Sequence, residues 1–243
     1  MLVLGGTGEA RRLAAALDAG PECEVVSSLA GRLREPVMPV GASRVGGFGG
    51  PDGLAAWLRA ERVGAVVDAT HPFAANITAS AVTACDRTGV PLLVLRRPGW
   101  TAGPGDDWHR VPTPAAAAEA LADLGERVFL TTGRSGLAAF AGLTTHWFLI
   151  RAVDPPEPPL PTRNQVLLDR GPFTVEAERA LFLAHRIQVL VTKDSGGPMT
   201  AAKLVVAREL GLPVVVQDRP PAPDAEIVAT VDEAVAWLAR LGG

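Results

Sequence analysis

Met1-Leu-Val-Leu-Gly5-Gly6-Thr7-Gly8-Glu9-Ala10-Arg11-Arg12-Leu13 opens the chain. An apolar run leads into a glycine-rich turn, and a stretch rich in Ala, Leu and Arg, suited to a helix, follows. A strand, a tight turn and a helix start in this order place unpaired N–H groups and the positive end of a helix dipole at the turn, where an anion is favoured. Glycine lets the backbone approach that anion closely. Gly6, Thr7, Gly8 and Glu9 are therefore the candidates to hold the pyrophosphate of a dinucleotide. Read from either Gly6-x-Gly8 or Gly5-x-x-Gly8, the third glycine of the pattern, which normally lets helix and strand pack closely, is replaced by Arg11. An ordinary tight turn between strand and helix is the competing reading.

The 243 residues allow one large or two small domains. With 48% hydrophobic and 20% charged residues the balance is that of a globular protein. A net charge of −3 exerts no general pull on nucleic acid or membrane, so a polyanionic ligand needs local basic clusters. Cys23 and Cys85 form neither a disulfide framework nor a zinc motif, and no metal site is expected. A reducing compartment, the cytoplasm, fits this cysteine usage. With the first strand read from Met1, no secretory leader is expected, and no apolar run reaches membrane-spanning length. The sequence has no tyrosine, which excludes a short-chain dehydrogenase working through a Tyr-x-x-x-Lys relay.

Glu24-Val-Val-Ser-Ser28 reads as the second strand, about 20 residues after the turn, where an NAD-selective site places a carboxylate for the ribose 2′-hydroxyl. Here Ser27 and Ser28 end the strand, and Gly31 and Arg32 follow. Hydroxyls and a guanidinium suit a 2′-phosphate, so the expected cofactor is NADPH/NADP+. Ser43-Arg-Val45 is a short strand before the glycines at 46, 47, 49 and 50. Gly47 either approaches a cofactor or serves the turn. Asp52 is expected to cap the helix carrying Leu54, Trp57 and Leu58. Ala65-Val-Val-Asp68-Ala-Thr70-His71-Pro72-Phe73 is a strand with a polar carboxyl end, placing Thr70 beside the cofactor. His71 either carries a proton or contacts a carboxylate, or it is a hydrogen-bonded structural histidine. A helix from about Ala74 to Thr88 and the buried strand Val90–Leu95 lead to Arg96, Arg97 and Pro98.

Residues 99–112 read as an irregular crossover. Pro114 starts a helix running through Leu124. Arg127-Val-Phe-Leu-Thr131-Thr-Gly-Arg134-Ser-Gly-Leu137 then repeats the opening plan of strand, small-residue turn and helix, with Arg134 inside the turn. Strands are expected at 147–150, ending at Arg151, and at 165–169. Asp169-Arg-Gly-Pro-Phe-Thr174 is expected to be a mobile loop, with Thr174 capping the next helix. Gln188-Val-Leu-Val-Thr192 leads into Lys193-Asp-Ser195-Gly196-Gly-Pro-Met-Thr200 and a helix carrying Lys203. Lysines, hydroxyls and glycines at the end of a strand suit an anion. The strand 212–216, a short strand within 224–229 and a helix from Val231 to Leu241 close the chain. The fold expected is α/β, two Rossmann-like domains with mainly parallel sheets, divided into residues 1–98 and 99–243. Arg97, Arg134, Arg151, Lys193 and Lys203, all placed at strand ends, are more cations than a small monoacid needs. They point to a substrate with several carboxylates.

In order, Leu4–Ala10, Asp68–Phe73, Leu95–Pro98, Thr131–Arg134, Arg170–Phe173 and Thr192–Gly197 with Lys203 resemble the precorrin-6A reductase family of cobalamin biosynthesis. The resemblance covers nearly the whole chain. It implies an NADPH domain, a second domain contributing most of the tetrapyrrole site, and reduction of a macrocycle double bond by hydride transfer. It also implies a small-molecule tetrapyrrole partner bearing several carboxylates, with a transient contact to the next pathway enzyme. His71, Arg97, Arg134, Arg151, Lys193, Ser195, Gly196 and Lys203 are the candidates for that substrate. The proton source is open among His71, a carboxylic acid, solvent and the substrate itself. A reductase of another polycarboxylate, an NADP(H)-binding redox sensor and a nucleotide-sugar transferase are the alternative functions.

Overall fold

The computed structural model describes residues 1–18, 24–31 and 37–241. In chain order the elements are β1 (Leu2–Leu4), α1 (Gly8–Asp18), β2 (Val26–Leu29), β3 (Ala42–Val45), α2 (Gly50–Ala60), β4 (Val66–Asp68), α3 (Ala75–Thr88), β5 (Leu92–Leu95), β6 (Asp107–Val111), α4 (Pro114–Ala120), β7 (Arg127–Leu130), β8 (Trp147–Ala152), β9 (Asn164–Leu168), α5 (Val175–Ala184), β10 (Val189–Lys193), α6 (Ala202–Glu209), β11 (Pro213–Gln217), β12 (Glu226–Val228) and α7 (Val231–Leu241). They form two six-stranded sheets in which every pairing is parallel.

The chain divides into two units, Met1–Pro98 with Pro220–Gly243, and Gly99–Arg219. The first sheet has the order β12-β5-β4-β1-β2-β3 and the second β6-β11-β10-β7-β8-β9. In space each is the Rossmann order 3-2-1-4-5-6, with β6 standing sixth in the second sheet and the reversal of strand order beside β1 in the first and β7 in the second. The sixth strands are exchanged in sequence. β6 follows β5 in the chain but pairs with β11, and β12 follows β11 but pairs with β5.

Beside the expected division into 1–98 and 99–243, the compact units are Met1–Pro98 with Pro220–Gly243, and Gly99–Arg219. Residues 220–243 belong to the first unit, because β12 completes its sheet and Ala234 and Trp237 of α7 are buried in its core. Trp237 Nε1 also donates to Glu226 Oε2 at 2.8 Å, tying α7 to the strand before it. The crossover 99–112 contains β6, an edge strand whose sequence Asp-Trp-His-Arg-Val carries no apolar run because one side of it faces solvent.

Alternation along the strands builds a layer on each face. In the first unit Leu2 and Leu4 pack with α2 and α3, while Val3 packs with α1 and α7. In the second, Val128 and Leu130 pack with α4, while Phe129 and Leu149 pack with Phe182 of α5 and Val206 of α6.

Three local expectations change. Gly49, in the left-handed region, caps α2 by its backbone; Asp52 lies inside the helix and pairs with Arg87. The helix expected through Leu124 is α4 followed by one 3-10 turn, Leu121–Asp123. After the turn 131–136 only a four-residue 3-10 segment forms, Leu137–Phe140. Gly142, Thr144 and Thr145, poor helix formers, follow it directly, and β8 begins at Trp147.

Candidate functional site

The glycine turn lies between β1 and α1, at the reversal of strand order in the first sheet, where open α/β sheets bind ligands. Gly5 N–H donates to Ser28 O at 2.9 Å, and Gly6 has φ 113°, a conformation suited to glycine. Thr7 caps α1. Its Oγ1 accepts from Ala10 N–H at 3.0 Å and donates to Ala69 O at 2.7 Å, joining the helix start to the end of β4. Ala10 is 4% exposed, and a Cβ on Gly5 would stand 3.5 Å from Ala10 Cβ. The close helix–strand contact is therefore at Ala10. The register is Gly5-x-Thr7-x-x-Ala10, a G-x-G-x-x-A pattern with Thr7 in the second place. Arg11, one residue further on, is not at the contact position.

Glu9 does not stand alone beside the turn. It accepts from Arg12 at 3.2 Å and from Arg97 Nη1 at 2.9 Å. Burial works to raise its carboxyl, but a hydrogen bond with its own backbone amide and the charges of Arg97 and Arg12 outweigh this and hold it below the usual carboxylate range. Arg97, expected at the substrate, thus stands next to the glycine turn of the first unit. Ser28 is 6% exposed and accepts from Arg44 Nη1 at 2.8 Å. Arg44 also donates to Gly46 O at 3.0 Å and Gly47 O at 3.1 Å. Gly31 takes φ 71° with Val45 close by. Arg32 lies outside the described residues. The sequence carried one signal for Arg44 that went unused: it is the basic residue of the third strand, just before the glycines.

On the other side of the reversal, Asp68 is 1% exposed at the end of β4. It accepts from Thr70 N–H at 3.0 Å, Thr70 Oγ1 at 2.7 Å and Thr78 Oγ1 at 2.6 Å. Thr70 is thereby fixed. His71 Nδ1 accepts from Phe73 N–H at 3.3 Å and its carbonyl from Ala74 N–H at 2.7 Å. Thr70, His71, Thr78, Arg96, Pro220 and Asp224 line a cleft of about 380 Å³ at the ends of β4 and β5.

In the second unit the expected cations divide. Arg134 is exposed on the turn 131–136, with Gly133 and Gly136 in the left-handed region. Lys193 ends β10, and burial pulls its ammonium below its ordinary value. Ser195 N–H bonds back to Lys193 O at 2.7 Å, and Gly196 has φ 66°, so the loop turns tightly there. Arg151 and Lys203 point inward instead. Arg151 is 6% exposed and makes a two-pronged pair with Glu178, with Nη2 to Oε2 at 3.1 Å. Its guanidinium lies 3.7 Å from the centre of the Phe173 ring. Lys203 is 3% exposed, donates to Thr200 O at 2.6 Å and faces the Trp100 ring. Burial, with Arg151 adding to it and Glu178 opposing, lowers its pKa to about 7.

Asp194 has a role that the sequence reading missed. At 4% exposure it accepts from Trp100 N–H at 2.9 Å and Arg110 Nη2 at 3.0 Å, and its carbonyl accepts from Arg219 at 2.8 Å. It anchors both ends of the second unit's chain, beside Gly99 and at Arg219. Nothing in its local sequence marks it, since its partners are distant along the chain. Among the described residues no group of three or more His, Cys, Asp or Glu side chains is placed to hold a metal ion.

The family model for precorrin-6x reductase, CbiJ/CobK, matches residues 1–239. The chain belongs to this family. It is an oxidoreductase by that membership. It is 58% identical to a precorrin-6A reductase of Rhodococcus erythropolis over 99% of this chain and 98% of that protein. It is 51% identical to a precorrin-6A reductase of Mycobacterium tuberculosis (strain ATCC 25618 / H37Rv), over 99% of this chain and 98% of that one. A solved structure of a CobK precorrin-6A reductase superposes with a TM-score of 0.93 at 48% identity, covering 100% of this chain and 96% of the other. The α/β architecture of two Rossmann-like units is thus shared with that structure. Among the described residues no helix is long and apolar enough to cross a membrane.

Proposed function

We propose that the chain reduces a macrocycle double bond of precorrin-6A with NADPH, in the cytoplasm. The observation that carries this reading is the Gly5–Ala10 turn, capped by Thr7 and placed at the strand-order reversal of the first sheet, in a chain of the precorrin-6x reductase family. The residues fit the cofactor. Gly6 and Gly47 leave open space where a side chain would stand, and the start of α1 supplies N–H groups for a pyrophosphate. NADPH, when bound, supplies the hydride. Gly6, Thr7, Gly8 and Glu9 position the pyrophosphate, and Ser28 the adenosine half. Thr70, fixed by Asp68, lines the cleft on the β4–β5 side, where the nicotinamide half is received.

The first unit, residues 220–243 included, is then the cofactor unit, and the second contributes most of the tetrapyrrole site. Arg134 and Lys193, with Ser195 and Gly196, take substrate carboxylates. Arg151 and Lys203 act from inside, holding the loops at 169–174 and 198–200 through Phe173 and Thr200. The work of these residues is orientation and charge complementarity. The substrate is the small-molecule partner, and a transient contact with the next pathway enzyme would carry the product onward. The test is anaerobic oxidation of NADPH by the purified protein in the presence of precorrin-6A. Stoichiometric loss of the 340 nm absorbance with a change in the macrocycle spectrum is expected. Oxidation that does not depend on the tetrapyrrole would overturn the reading.

A further inference from the structure

Arg44 is held by hydrogen bonds and ring contacts beside the glycine turn. In register it stands opposite Ser28, on the β2–β3 side of the glycine turn, where the adenosine half of a dinucleotide lies. Its side chain is held on every side that the protein can reach. Nη1 spends its two protons on Ser28 Oγ and Gly46 O, and Nη2 spends one on Gly47 O. The guanidinium carbon Cζ lies over the Phe48 ring, 3.8 Å from its centre, and 5.8 Å from the centre of the Trp57 ring, and those two rings meet edge to face at 5.5 Å. Of the five donors of an arginine, Nε–H and one Nη2–H remain. Among the described residues no carboxylate pairs with it, whereas Arg97 and Arg151 each have one. A long, flexible side chain has been immobilised, at a cost in rotamer entropy, around a charge that no carboxylate among the described residues neutralises. Ser28 adds to this. Its oxygen accepts from Arg44, so its own O–H is turned away from Arg44 and available as a donor.

We propose that Arg44, together with Ser28, holds the 2′-phosphate of the cofactor and sets the preference for NADPH over NADH. The proposal rests on the NADPH reading above, and it gives to Arg44 the role that the sequence reading assigned to Arg32. The fork geometry and ring stacking are those with which arginine recognises phosphate, and a lysine cannot reproduce both.

The test is equilibrium binding of 2′,5′-ADP and 5′-AMP, two probes that differ only in the 2′-phosphate, by calorimetry on the wild-type protein and on Arg44→Ala, Arg44→Lys, Ser28→Ala and Arg32→Ala. Wild type is expected to bind 2′,5′-ADP more tightly than 5′-AMP. Arg44→Ala is expected to weaken 2′,5′-ADP by about 30-fold or more, the loss of a direct charged contact, and 5′-AMP by less than about threefold. Arg44→Lys and Ser28→Ala should each lose about tenfold toward 2′,5′-ADP alone. Ser28→Ala leaves the ring stack intact, so it carries the test if Arg44→Ala lowers the melting temperature. Equal losses for both probes in the Arg44 variants would overturn the proposal, since Arg44 would then merely shape the glycine loop. So would unchanged selectivity in Arg44→Ala with selectivity lost in Arg32→Ala. A wild type that binds neither probe would refute the NADPH reading itself, which separates that failure from this one.

Discussion

The two units have the same spatial strand order, yet the turns after β1 and β7 are built differently. In the first, Gly5–Ala10 leads into an eleven-residue helix, Thr7 caps it, and Ala10 lets it lie close to β1. In the second, 131–136 leads only into a 3-10 segment, Arg134 occupies the turn, and the buried Thr132 Oγ1 has no hydrogen-bond partner among the described residues. Without a long helix behind it, that turn has neither the dipole nor the row of N–H groups that favour a pyrophosphate. The charges differ in the same sense. In the first unit Arg44 is fixed beside the turn with no carboxylate partner among the described residues, whereas in the second Arg151 is buried against Glu178. Sharing a strand order does not confer a ligand. The helix behind the turn and the destination of each charge decide it.

The largest effect is expected from cutting the exchange of sixth strands. Truncation after Arg219 removes β12 and α7 from the first unit and nothing from the second. Loss of measurable NADPH binding is expected, with one cooperative unfolding transition retained by the second unit; retained NADPH affinity would show that the sixth strand is dispensable. Next comes the buried pair. Glu178→Ala leaves Arg151 buried without its carboxylate and should cost about 3–5 kcal/mol, read from denaturant unfolding. A cost under about 1 kcal/mol would mean that water reaches the pair.

The two threonines give a contrast of opposite sign. Thr7→Val removes a helix cap and leaves Ala69 O without its donor, costing about 2 kcal/mol. Thr132→Val removes a buried hydroxyl that has no partner among the described residues and should be neutral or stabilising by up to about 1 kcal/mol. Destabilisation by both to a similar extent would erase the difference between the turns.

Lys203 supplies a pH signature. Its folded pKa is about 7 against an ordinary 10.5, so between these values the unfolded chain binds a proton that the folded protein does not. Stability should therefore rise with pH across that window, and Lys203→Met should flatten the rise. A difference between the two proteins that stays constant from pH 6.5 to 9.5 would place Lys203 in water. The smallest effect is expected at Glu9, which as Gln keeps a hydrogen-bonding side chain and which has one exposed partner, Arg12, beside the largely buried Arg97. Glu9→Gln should cost under about 1 kcal/mol at neutral pH. Because the folded carboxyl is held low, that contribution is present above the unfolded pKa and fades as pH falls through the folded value.

What was legible in the chain was local. Apolar runs ending in small polar turns announced parallel strands, and the opening glycines announced a tight turn into a helix start, because both signals arise within a few residues. Thr174 was readable as a cap for the same reason, and its Oγ1 accepts from Ala177 N–H at 3.2 Å. β6 was missed because an edge strand can be as polar as a loop. Arg44 was passed over because its meaning depends on Ser28 and Phe48 converging on it.

Composition and local pattern were enough to decide an α/β chain with a glycine turn at its first strand and a surplus of basic residues at later strand ends. They could not decide where those residues point. Arg151 and Glu178 are brought together by the packing of α5 on the second sheet, and Arg97 reaches Glu9 across the first. The exchange of sixth strands has the same origin. β12 pairs with whichever sheet lacks an edge and offers room for Trp237, a property of the assembled core and not of residues 220–243. Backbone propensity acts over a few residues, but the partner of a buried charge or an edge strand is set by contacts that exist only once the chain has folded.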